Sequence, residues 1–83
     1  IFTMTYMNIE DDFENLKKLV GSNVRIHRLK KALSQKQLSE LSGLDANYIG
    51  SVERGERNIS LKNLYIISIN LEVSINLLFL KNL

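Results

Sequence analysis

Apolar side chains recur at helical spacing along most of the chain. Phe13, Leu16 and Val20 stand at i, i+3 and i+7, and Asp11 and Asp12 ahead of them suit a helix N-terminus. Val24, Arg28 and Leu29 continue a face to Leu33; Gly21 between them leaves open one long helix or two. Ser34 followed by Gln37 has the form of a capping box, and Leu38 and Leu41 give the stripe of a short second helix. Gly43 stands where that helix must end in a turn of positive φ, with Leu44 as the turn's anchor. Asp45 reads as the next N-cap, for a helix over residues 46–54 that stops at Gly55. Asn58 and Ile59 fall in a loop. Ser60 caps a fourth helix to about residue 71, and Ser74 a fifth to about residue 80. Residues 1–10 show no such period and read as a disordered segment or arm. Residues 11–83 are expected to form a single all-α, five-helix domain.

Composition narrows the function more by exclusion than by indication. A chain of 83 residues builds one modest core, and the absence of proline agrees with helices throughout. Without cysteine there is no disulfide framework and no thiolate zinc site, and the single His27 rules out a histidine cluster. His27 itself reads as a satisfied, partly buried side chain. No metal or cofactor is expected. The sequence carries no paired carboxylates, Ser/His/Asp set or glycine-rich phosphate loop, so an enzyme is the remote alternative. No apolar run approaches the roughly 20 residues of a membrane helix, and no basic segment followed by an apolar one suggests a signal peptide. A cytoplasmic protein is expected, with no membrane partner and no small-molecule ligand apparent.

Charge adds a hint. The net charge is only +2, but four of the nine acids (Glu10, Asp11, Asp12, Glu14) crowd one short segment, and all 11 lysines and arginines lie beyond it. A basic body suits a polyanion, although an ordinary solvated surface would also carry such charge.

The stretch SQKQLSELSGLDANYIGSVERGERNISL, residues 34–61, sharpens the hint. Two short helices meet at a tight turn, an arrangement in which the first braces the second as it projects from the body. On a helical wheel Ile49 and Val52 point to the core, while Ala46, Asn47, Gly50, Ser51 and Arg54 gather on the other side. Small side chains let a helix backbone approach base edges, and Asn47 and Arg54 supply hydrogen bonds of the kind read in the DNA major groove. A merely solvated helix would more often carry Glu, Lys and Gln there. Ser34 and Lys36, at a helix N-terminus, suit contacts with the DNA backbone.

Gln35, Leu38, Gly43, Ile49, Glu53 and Gly55 together resemble the Cro and repressor family of helix-turn-helix proteins, over roughly residues 20–80. The stretches ERGERNISL (53–61) and LEVS (71–74) are most similar to the controller proteins of restriction–modification systems. The resemblance implies a lambda-repressor-like domain that binds double-stranded DNA. It implies base contacts from Ala46, Asn47, Gly50, Ser51 and Arg54, and phosphate contacts from Gln35, Tyr48, Arg57 and Asn58. Tyr48 has a competing role as a packing residue. Arg28 and Glu53 match a family pair that forms an internal salt bridge. Two departures fall near the end of the first helix: Ala32 where the family often has Gly, and His27 where it often has an aliphatic residue.

The C-terminal segments carry more apolar surface than one domain can cover. Leu61, Leu64, Ile67 and Leu71 make one stripe, while Ile66 and Ile69 fall on the opposite side, with Leu77 and Leu80 extending the excess. Phe13 and Leu16 could cover it from within the domain. A second copy is the favoured occupant, with Ile66, Ile69, Leu77 and Leu80 at a homodimer interface. The expected function is a sequence-specific transcriptional regulator of the controller type on an inverted-repeat operator. A prophage-type repressor, or an antitoxin that binds a toxin and its own operator, are the alternatives.

Overall fold

The computed structural model describes residues 8–81, and within them the fold is all-α. Its helices are α1 (Ile9–Lys30), α2 (Gln35–Ser42), α3 (Ala46–Glu53) and α4 (Leu61–Leu71), followed by a short 3₁₀ turn, Ile75–Phe79.

Cap chemistry explains where each helix begins. Asn8 accepts from the Glu10 and Asp11 amides, and Glu10, Asp11 and Asp12 place negative charge at the positive end of α1. Residues 8–10, expected in an arm, are therefore the cap and first turn of α1; residues 1–7 of that expected arm lie outside the described residues. Ser34 and Gln37 exchange both capping-box bonds, Asp45 accepts from the Asn47 and Tyr48 amides, and Ser60 accepts from the Asn63 amide. Gly43 ends α2 with φ at 72°.

α1 is one helix. Gly21 does not break it; its role is contact, since a Cβ there would stand 2.2 Å from the Val52 carbonyl oxygen at the end of α3. α1 also packs on the 3₁₀ turn, and α2 packs on α3 and α4. The core between them is Val20, Val24, Leu38, Ile49, Val52, Leu64, Ile67, Leu71 and Leu78.

The expected fifth helix is instead the 3₁₀ turn. Ser74 makes no side-chain bond to the backbone that would start an α-helix; its hydroxyl bonds the Asn76 side chain. Asn23 of α1, 1% exposed, donates its amide to the carbonyls of Leu78 (2.9 Å) and Leu80 (2.7 Å), which ties the tail back across α1.

Candidate nucleic-acid interface

α3 is held by an ion pair at its inner edge. Arg28 of α1 grips Glu53 with two bonds, Nε to Oε2 at 2.6 Å and Nη2 to Oε1 at 2.9 Å, and its Nη1 donates to the Leu33 carbonyl. The side chains are 6% and 3% exposed. Glu53's hydrogen bond and charge raise the Arg28 pKa against the opposing effect of burial, so the guanidinium stays charged. Gln35 of α2 adds a bond to the same Glu53 oxygen at 3.0 Å. One carboxylate thus joins three helices and sets the angle at which α3 leaves the body.

The outer face of α3 presents Asn47 and Arg54, both exposed, with Ala46 half-buried beside them. Two residues expected on that stripe are covered. Gly50 is buried because the Gln35 amide and the Arg54 guanidinium fold over it, each 3.2 Å from where a Cβ would sit. Ser51 is 6% exposed because Arg57 lies on it: the Arg57 Nε donates to the Ser51 hydroxyl at 3.0 Å, and that hydroxyl donates to the Tyr48 carbonyl. In the unbound chain the exposed stripe is therefore narrower than the helical wheel implies, and long cations roof its small residues.

The residues expected on phosphates fall in two groups. Ser34, Lys36, Arg57 and Asn58 are exposed, the first two at the start of α2 and the others in the loop after α3. Gln35 and Tyr48 are half-buried. Gln35 spends one amide N–H on Glu53, leaving the other for a ligand. Tyr48 packs against the core, its ring 5.5 Å from the Arg57 guanidinium, and its hydroxyl accepts from Asn63 at 3.3 Å. Arg57 is thus steered by the Tyr48 ring and the Ser51 hydroxyl.

Sequence reasoning missed Asn23, Asn63 and Glu56. Glu56 accepts from Arg54 Nε at 3.0 Å. The only signal for it was an acid two residues after Arg54 across a glycine. That hydrogen bond lowers the Glu56 carboxyl pKa from its ordinary value against the opposing effect of desolvation, with the Arg54 and Arg57 charges adding, and it raises the Arg54 pKa in return.

Two short helices joined through a left-handed glycine, the second presenting polar side chains from a braced base, define a helix-turn-helix protein. Residues 24–78 match that family, and the chain belongs to it. The chain is 48% identical over 63 residues to Control protein C.SmaI of Serratia marcescens, an alignment covering 76% of this chain and 75% of that protein. Its structure is similar to the restriction-modification controller protein C.AhdI of Aeromonas hydrophila, with a TM-score of 0.74 and 43% identity over 76% of this chain and 96% of that one. It is also similar to the controller protein C.Esp1396I, solved as a tetramer with its natural 35 base-pair operator; the TM-score is 0.71, with 38% identity over 77% of this chain and 84% of that one.

Proposed function

We propose that the chain is a sequence-specific transcriptional regulator, a controller of a restriction–modification system, that seats α3 in the DNA major groove. The observation that carries this reading is the arrangement of Asn47 and Arg54 on the free face of an α3 that the Arg28–Glu53–Gln35 junction locks in place. Asn can pair with the two edge groups of adenine, and Arg can fork onto the two acceptors of guanine. Lys36, Arg57 and Asn58, with the second amide hydrogen of Gln35 and the Tyr48 hydroxyl, would meet phosphates beside the helix and fix register without reading sequence. The site binds rather than catalyses, and its place is on DNA in the cytoplasm. A homodimer joined through α4 and the 3₁₀ turn would present two copies of α3 to inverted half-sites roughly 34 Å apart.

Footprinting on DNA upstream of the chain's own gene locates the operator. On that duplex, Asn47→Ala or Arg54→Ala should each lower affinity by about 1–3 kcal/mol, with little change on a shuffled duplex. Arg57→Ala should weaken both alike. Equal losses on both duplexes for Asn47→Ala and Arg54→Ala would remove α3 as the reading element.

A further inference from the structure

The surface proposed to meet DNA contains an acid. Glu56 follows Gly55, whose φ of 74° turns the chain back at the end of α3, and the Glu56 amide bonds the Ser51 carbonyl at 3.0 Å. This turn brings the carboxylate to Arg54 Nε at 3.0 Å, with the two side chains 57% and 60% exposed. An exposed pair of this kind contributes little to stability, so folding alone does not account for it. Its geometry does more. With Nε engaged, the Arg54 guanidinium lies back along α3 over Gly50, where Nη1 sits 3.2 Å from the Cβ position. The terminal nitrogens, the pair that forks onto guanine, keep hydrogens to donate.

We propose that Glu56 is a specificity-determining positioning residue, which holds Arg54 along α3 as a base reader and withholds it from the DNA backbone. The inference rests on the DNA-binding function proposed above. On a sequence lacking guanine at the right step, an unrestrained Arg54 would swing to the nearest phosphate and add a contact that carries no sequence information. Glu56 competes with that phosphate for the same guanidinium. At the cognate step the terminal nitrogens meet guanine while Nε stays on the carboxylate. Discrimination then comes from weakening the wrong complex rather than tightening the right one. The depressed carboxyl pKa agrees with an acid that is ionised at neutral pH.

The test measures the affinity of the full chain for its own upstream duplex and for a shuffled duplex across a salt series. Glu56→Gln should tighten binding to the shuffled duplex about tenfold and steepen its log–log salt slope by about one per subunit. Cognate binding should hold to within about threefold, so the ratio of affinities falls several-fold. Glu56→Asp keeps the charge but is one methylene short of the contact, and should lose discrimination as the Gln variant does. In an Arg54→Ala background, Glu56→Gln should leave the ratio unchanged. Equal tightening on both duplexes, an Asp variant that discriminates like the parent, or an effect that survives loss of Arg54 would each overturn the proposal in favour of plain charge repulsion. A parent protein that binds its upstream and shuffled duplexes equally would overturn the function itself, a result distinct from any of these.

Discussion

Arg28 does two jobs at once, closing the end of α1 through Leu33 and bracing α3 through Glu53. Removing either partner of a shielded ion pair strands the other charge. Glu53→Ala should therefore cost about 3 kcal/mol, read as a lowered midpoint in urea or a lowered Tm; a neutral result would mean that the pair is solvated in solution. The Arg28–Glu53 pairing was available to the sequence reading through family resemblance, but the Gln35 branch was not, since a glutamine opening a DNA-facing helix reads first as a phosphate contact. A second residue-scale test concerns Ala32. It sits at φ 56° in the turn that ends α1, where the Ala32 amide bonds Leu29 and the Leu33 amide bonds Arg28. That turn is built for a residue without a Cβ, and Gly55 occupies the same position after α3. Ala32→Gly should raise stability by about 1 kcal/mol by relieving the left-handed conformation, a gain partly offset by the freer unfolded chain. Thermal melts of parent and variant decide it; a drop in Tm would show that the entropy cost prevails.

At the scale of elements, legibility follows locality. The starts of α2, α3 and α4 could be read because each N-cap acts on amides two or three residues away, and Ser34, Asp45 and Ser60 all bond as their positions imply. The C-terminal 3₁₀ turn could not be read. What holds it is Asn23, 55 residues upstream of Leu78, and a polar residue on the inner face of α1 disrupts an apolar period rather than announcing a latch. The covered state of Gly50 and Ser51 was hidden for a related reason: a wheel places Cα positions, and the reach of Arg54 and Arg57 decides what is left open. Gly21 shows the same limit. A lone glycine within a helical period suggests a bend, whereas the cause is another helix end pressed against it. A Cβ there would meet backbone carbonyls of Val52 and Glu53 at 2.2 and 2.8 Å, and backbone cannot rotate aside as a side chain would. Gly21→Ala should thus cost about 3 kcal/mol despite the better helix propensity of alanine. A variant of parental stability in chemical denaturation would require α1 and α3 to stand further apart than this.

The whole molecule joins an electrostatic surface to an apolar one. Among the described residues, Ile69 is 53% exposed, Leu80 52% and Leu77 36%, while Ile66, half-buried, faces inward more than the helical wheel implied. Phe13 and Leu16 line a hollow of about 170 Å³ with Leu61, Leu64 and Phe79, and Ile66, Ile69, Leu77 and Leu80 are not among its lining residues. A second copy remains the proposed cover, and Ile69 is its best probe because a charge there disturbs no core contact. Ile69→Glu should convert the dimer to monomer in sedimentation while leaving the melting transition of the domain in place. The DNA titration then follows from the geometry. A dimer that neutralises several phosphates with Lys36, Arg57 and their partners should lose on the order of a thousandfold in affinity between 50 and 200 mM salt. The monomeric variant carries half of those contacts, so its salt slope should fall to about half and its discrimination should weaken with it. If Ile69→Glu remains dimeric, the interface lies elsewhere, and the hollow beside Phe13 becomes the next surface to charge. If it becomes monomeric and yet keeps the full slope, one α3 already makes all the ionic contacts, and the two half-sites of the proposed operator have no physical basis.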